Sequence, residues 1–232
     1  MKNKFKGIIF FTKKIKDNDL YIKILSSNDE INSGMVYGGN SSKKKLIYQN
    51  GYFVDYYIIK KNEKVPPVFT AEISPPFLSQ IFNDKYKLNA ILSILDLINL
   101  SILEGQKLKG FFNGVYYLID KIIYTNNWMN YYCEWLFYLL KLIGYQIDYK
   151  NNKHKKNFNL INKEFSYQKN KNTIEFPHTL FSKNYELSFK NINLVFIIFE
   201  NILLKNHLDN LRYNMPINFI NFKKIILQRL LK

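Results

Sequence analysis

The hydrophobic period of the chain changes at Pro75-Pro76. Upstream, five short runs (Phe5 to Phe11, Leu20 to Leu25, Ile31 to Tyr37, Tyr52 to Lys60 and Val68 to Ile73) are rich in Ile, Val, Phe and Tyr. Asn, Asp, Gly, Ser and Pro clusters separate them at short spacing, the pattern of small antiparallel strands. Proline cannot donate to a sheet ladder and pushes its predecessor away from helix, so the pair stops the strand pattern. Downstream, Leu88, Ile91, Leu92, Leu95 and Ile98 recur on one helical face. Phe112, Val115, Tyr116, Ile119 and Ile123 repeat this, as do Trp135, Leu139, Leu142 and Ile143, with Gly144 placed to end that helix. The expectation is an α+β chain with an N-terminal five-stranded OB-type β-barrel followed by a mainly α-helical domain.

The barrel is expected over residues 1–76 and the helical domain over 77–232, interrupted by a basic insertion at about 148–185. From Asp148 to Lys171 the chain is Lys/Asn-rich with short apolar pieces, which reads as an exposed, irregular and partly β-like segment. Helical signals return at Leu187 to Lys205, and a last helix begins near Pro216, a residue suited to a first turn. The first hairpin connection, Thr12 to Tyr21, looks like a basic hairpin; the second, with Ser26, Ser27, Asn28 and Asp29, looks bland.

Apolar residues make up 47% of the 232 and aromatic ones 17%, enough to sustain a core and exclude a mainly disordered chain. A single cysteine, Cys133, permits no internal disulfide and offers one thiolate at most, which fits a reducing cytoplasm. Met1 to Lys6 is basic, but the apolar run Gly7 to Phe11 is too short for a secretory signal. Leu88 to Leu103 and Ile192 to Leu204 fall short of the roughly 20 apolar residues of a membrane span and read as buried helices.

Lys and Arg number 34 against 18 Asp and Glu, a formal charge of +16. Such a field favours nucleic acid, an anionic membrane surface or an acidic protein. Only Arg212 and Arg229 are arginine, and Lys, Asn, Ile, Phe and Tyr are over-used throughout. The excess is therefore divided between a basic surface and compositional drift.

No constellation for catalysis or metal binding emerges. His154 lies among lysines, His178 follows Pro177, His207 lies near a helix end, and Cys133 stands alone on an aromatic helix, so no metal site is expected. Gly38-Gly39 lacks the later Gly-Lys-Ser/Thr of a phosphate loop, and no nucleophile elbow occurs. The expectation is a non-enzyme without cofactor. What remains is binding, since five-stranded barrels hold single strands by stacking aromatics and a cationic groove. The candidates are Lys13, Lys14 and Lys16 in the first hairpin, Lys43, Lys44 and Lys45 in "VYGGNSSKKK", and Lys153, Lys155 and Lys156 as a secondary patch. Tyr48, Tyr52 and Tyr56 lie near the second set, either to stack on bases or, as alternating strand aromatics usually do, to fill the core. On its own the lysine triplet fits a phosphate contact or a solvated loop equally.

The order "KGIIFFTKKIKDNDLYIKILS", "GMVYGGNSSKKK", "YQNGYFVDYYI" resembles the N-terminal barrel of the bacterial RecO family of DNA repair proteins, through Gly7, Thr12, Asp19, Gly34, Gly38, Gly39, Ser42, Lys43 and Gly51. "WLFYLLKLIGYQID" is similar to that family's aromatic helix closing in Leu-Gly-Tyr, and "NHLDNLRYNMPINF" to its turn into the last helix, so the likeness covers nearly the whole chain. Leu136 and Glu134 depart from the family pattern, which weakens any partner-site carry-over from that helix. The insertion lacks the paired cysteines that bind zinc in many members, so a zinc-free member is implied. The resemblance implies a non-catalytic recombination mediator that binds single- and double-stranded DNA and anneals complementary strands. It further implies contact with the acidic tail of single-stranded DNA-binding protein and, with RecR, promotion of RecA loading, in the cytoplasm at the nucleoid and away from membrane. A basic RNA-binding or ribosome-associated barrel, or a membrane-surface protein using lysines beside aromatics, would show the same charge.

Overall fold

The computed structural model describes residues 4–60, 62, 64–74, 77–182, 185–208 and 213–231. Pro75, Pro76 and Arg212 lie outside the described residues, as do Met1 to Asn3 and Asp209 to Leu211. The chain divides into two compact units, Met1–Ile123 and Tyr124–Lys232.

In the first unit, short runs rich in Ile, Val, Phe and Tyr form five strands: β1 (Lys4–Lys16), β2 (Asp19–Ser26), β3 (Ile31–Val36), β4 (Phe53–Ile59) and β5 (Val68–Ile73). They close into a barrel in the order β1-β2-β3-β5-β4. The pairs are antiparallel except β3 with β5, which meet in parallel at Met35 and Val68. Met35 N–H donates to the Pro67 carbonyl at 2.8 Å across this seam. Along β2, Leu20, Ile22 and Ile24 point inward and meet Ile9, Val36, Val54, Tyr56 and Phe69, while Tyr21 and Lys23 take the outer face. The fold is thus the expected OB-type barrel followed by helices.

β1 runs further than its apolar residues suggest. Thr12 to Lys16, expected in a connection, are strand residues: Lys13 pairs with Tyr21, Lys14 with Leu20 and Lys16 with Asp19, leaving Asp17 and Asn18 as the turn. The backbone ladder carries these lysines because their ammonium groups stay in water while their peptides pair.

A single 3-10 turn (Phe77–Ile81) leads to α1 (Lys85–Ser101), whose N-cap Asp84 accepts from Tyr86 N–H at 3.0 Å and Lys87 N–H at 3.1 Å. The buried set of α1 is broader than the expected stripe: Ala90, Ile94 and Leu97 join Ile91, Leu95 and Ile98, while Leu88 and Leu92 are only half-buried. The next helix, α2 (Phe111–Tyr124), is started from the barrel. The Asp29 carboxylate accepts from Gly110 N–H at 2.6 Å and Phe112 N–H at 2.9 Å, so the connection that looked bland caps a helix far along the chain.

The second unit begins with α3 (Trp128–Leu142), ended as expected by Gly144 at φ +95°. Gly144 N–H bonds the Lys141 carbonyl at 3.1 Å and Tyr145 N–H the Leu140 carbonyl at 2.8 Å, the two-bond cap that a left-handed residue allows. The insertion forms a small sheet of β6 (Asn157–Asn159), β7 (Phe165–Ser166) and β8 (Thr173–Glu175), ordered β7-β6-β8. It is less exposed than its composition implies, because Phe158, Phe165 and Phe176 are buried on one another, with Phe176 also against Phe137, Tyr149 and Phe181. Helix α4 (Phe189–Ile202), capped by Ser188 on Asn191 N–H, runs into a π-type turn at Leu203–Leu208. Helix α5 (Ile217–Leu230) follows Pro216 and packs Phe219 and Phe222 on Phe196. Among the described residues no helix is long and apolar enough to cross a membrane.

Candidate nucleic-acid interface

Two of the three lysine sets meet at one end of the barrel. The β1–β2 hairpin carries Lys13, Lys14 and Lys16, all exposed, down to its turn at Asp17 and Asn18. The chain leaving β3 comes back to that turn: Asn40 N–H donates to the Asn18 carbonyl at 2.8 Å, and Gly38 N–H to Asp19 Oδ1 at 2.8 Å. Gly38 sits at φ +66°, where a side chain would be strained, so glycine is what lets this amide turn toward the carboxylate. These two bonds bring Lys43, Lys44 and Lys45 to the same end as the hairpin lysines.

The triplet stands on a turn between β3 and β4 and not on a strand edge. Lys44 and Lys45 N–H both bond the Ser41 carbonyl, at 3.1 and 2.9 Å, and Ile47 N–H bonds the Lys44 carbonyl at 2.8 Å. Successive side chains on such a turn fan apart by roughly 100°, so the three ammonium groups do not share one direction. Lys44 Nζ folds back onto the Tyr37 carbonyl at 3.2 Å, and Ser41 Oγ donates to the Gly38 carbonyl at 2.7 Å. The Ser41 hydroxyl therefore serves the turn instead of waiting for a phosphate. Among the described residues no ion pair engages Lys13, Lys14, Lys16, Lys43, Lys44 or Lys45.

The tyrosines divide between the two roles open to them. Tyr48 and Tyr56 are 6% and 0% exposed in the barrel core. Burial pushes both phenols above their ordinary value, although Tyr48 also accepts from Ala71 N–H at 3.1 Å and Tyr56 from Asn32 at 2.9 Å. Neither can stack on a base, and Tyr52 is half-buried. The exposed ring at this end is Tyr37, 55% accessible, which the strand pattern had placed in the run of β3.

Sequence reasoning also missed the β4–β5 connection. Lys60 and Lys64 line a hollow of about 580 Å³ with Asn32, Ser33, Ile58 and Phe69. That connection is one of the two loops with which such barrels take oligonucleotides, and its lysines were the available signal.

The third set lies in the second unit and is divided. Lys153 lines a hollow of about 560 Å³ with Glu134, Tyr149, Lys150 and His178, whereas Lys156 lines one of about 440 Å³ with His154, Tyr167 and Lys169. Lys155 is half-buried, its carbonyl 3.0 Å from His178 Nε2. His178 packs its ring 4.7 Å from that of Phe176, a structural position. Cys133 is fully buried, and burial with the neighbouring Glu134 charge pushes its thiol far up, which makes it a poor nucleophile. Among the described residues no group of three His, Cys, Asp or Glu could hold a metal ion.

The chain is similar to several DNA repair proteins. The chain is 27% identical over 145 residues to the DNA repair protein RecO of Rickettsia canadensis, covering 61% of this chain and 58% of that protein. The RecO of Rickettsia akari is 28% identical over 142 residues, covering 61% and 59%. The RecO of Hyphomonas neptunium is 23% identical over 144 residues, with the same 61% and 59%. The chain thus spans about three fifths of the length of these curated relatives. No family model matches it.

Proposed function

We propose, on the premise of the chain's assignment to the RecO family of DNA repair proteins, that it is a non-catalytic DNA-binding protein of recombinational repair. The observation that carries this reading is the convergence of Lys13, Lys14 and Lys16 with Lys43, Lys44 and Lys45 at one end of a closed barrel, through the Asn18–Asn40 and Asp19–Gly38 bonds. The six ammonium groups release counterions from phosphates and give affinity with little sequence preference. Tyr37 supplies an exposed ring for a base, and Lys60 and Lys64 a second cationic hollow. Lys153, Lys155 and Lys156 add a lesser contact.

On this reading the chain binds single- and double-stranded DNA, anneals complementary strands, contacts the acidic tail of single-stranded DNA-binding protein, and with RecR helps load RecA, at the nucleoid. On the same reading the insertion needs no zinc, since Phe158, Phe165 and Phe176 pack on one another within it. The test is annealing of complementary oligonucleotides coated with single-stranded DNA-binding protein, alongside their binding measured by fluorescence anisotropy. Wild-type protein is expected to anneal. Lys43/Lys44/Lys45→Ala is expected to bind about tenfold more weakly at 100 mM salt. No annealing by the wild type, binding indifferent to salt, or a strong preference for structured RNA in competition would overturn the reading.

A further inference from the structure

The outer face of β2 and β3 holds a carboxylate where a barrel of this type takes its oligonucleotide. Lys23 and Ser33 stand directly opposite each other in the ladder, and Tyr21 is on the same face two residues from Lys23. Glu104, from the connection between α1 and α2, reaches across to all three. Its Oε1 lies 3.2 Å from Lys23 Nζ and accepts from Tyr21 Oη at 3.2 Å, while Oε2 accepts from Ser33 Oγ at 2.6 Å. An ammonium and two hydroxyls converging on one anion make a donor set that a phosphate diester satisfies equally well. Ser33 also lines the hollow with Lys60 and Lys64, so this spot continues a cationic path.

We propose that Tyr21, Lys23 and Ser33 form a backbone-phosphate subsite for a single nucleic-acid strand, and that Glu104 occupies it as an internal phosphate mimic in the free protein. The inference rests on the DNA-binding reading above and deepens it. Partial burial works to raise the Glu104 carboxyl, but the Ser33 and Lys23 hydrogen bonds, the Lys23 charge and the Tyr21 hydroxyl outweigh it, so the group is held below its ordinary value and ionised. Displacement requires little rearrangement. The end of the same connection is anchored independently, by Asp29 on Gly110 and Phe112 and by Lys107 on Glu30 at 3.0 Å. Rotation of the Glu104 side chain alone, 44% exposed, therefore vacates the three donors. A strand must supply a phosphate at this position to displace the carboxylate, so the contact discriminates against small anions and weak, glancing encounters with polyanions.

The test compares Glu104→Gln with Glu72→Gln, which removes the same charge from an exposed position of β5. The probe is a fluorescein-labelled oligothymidylate of about 20 nucleotides, titrated between 50 and 200 mM salt, beside thermal melting of each variant. E104Q is expected to bind about three- to tenfold tighter than wild type at each salt concentration, because its three donors have no carboxylate to give up before they take a phosphate. E72Q is expected to change affinity less than about twofold, and Lys23→Ala in the E104Q background to abolish the gain. Should E104Q fail to fold, Glu104→Asp, too short to span Ser33 and Lys23 together, enters the same comparison. A gain equal to that of E72Q, a gain that persists with Lys23→Ala, or a lowered melting temperature with unchanged affinity would overturn the subsite and leave the DNA-binding reading standing. Absence of binding by every variant at the lowest salt would overturn both.

Discussion

Single residues in this chain act across long stretches of sequence, and Asp29 shows how. It lies in a hairpin turn at φ +66°, a conformation that asparagine and aspartate tolerate better than most residues. From there its carboxylate caps the first turn of α2, more than eighty positions away, and its carbonyl receives Leu108 N–H at 3.4 Å. One residue thus fixes both the hairpin and the entry of a helix whose Phe112 and Tyr116 rings pack on Phe53. Asp29→Ala removes the cap, worth about 1–2 kcal/mol, and leaves a β-carbon at φ +66° without the local hydrogen bonding that lets aspartate tolerate the left-handed region. Asp29→Gly loses the same cap but relieves the left-handed strain that a β-carbon carries, about 1 kcal/mol in return. Melting followed by circular dichroism should therefore order the three as wild type, then Gly, then Ala. Equal stability of Ala and wild type would show the cap to be idle.

At the scale of elements, the barrel is closed at the β3–β5 seam, and Gly34 is why the strands can approach there. A β-carbon at Gly34 would collide with the Pro67 carbonyl oxygen and the Phe69 ring, the first a backbone atom in the seam and the second a core side chain. Gly34→Ala is expected to cost about 2–4 kcal/mol in urea unfolding, whereas Gly38→Ala, with open space around it but φ at +66°, should cost about 1–2 kcal/mol. A near-neutral Gly34→Ala would mean that the seam opens readily. Strands β2 to β5 were legible in the sequence because each falls in a short run rich in β-branched and aromatic residues bounded by turn residues. The end of β1 was not, since lysine pairs through its backbone while giving no apolar signal. Strands of two and three residues in the insertion are likewise too short to display a period. The candidate interface was legible only where charge clustered along the chain. Glu104 on Lys23 and Ser33, and Asp19 on Gly38, join elements far apart in sequence and leave no local pattern.

For the molecule as a whole, a charge of +16 attracts any polyanion, so the specific contribution of a lysine has to be separated from the field it shares. The two units supply the means. Lys43/Lys44/Lys45→Ala and Lys153/Lys155/Lys156→Ala each remove three positive charges, and so lower the net charge equally. A field acting over the whole surface weakens with screening, over a length of about 10 Å at 0.1 M salt, and would reduce affinity alike in both variants. A lysine seated on a phosphate contributes about 0.7 to the salt slope for a single strand. The barrel triplet stands exposed beside three further lysines. The insertion set is divided between two hollows, with Lys155 half-buried. Affinity for a single-stranded oligonucleotide between 50 and 200 mM salt should therefore fall further, and with a flatter slope, in the barrel variant than in the insertion variant. Equal losses would assign the binding to charge spread over the molecule, and would reduce the lysines of the barrel end to the drift that the rest of the composition displays.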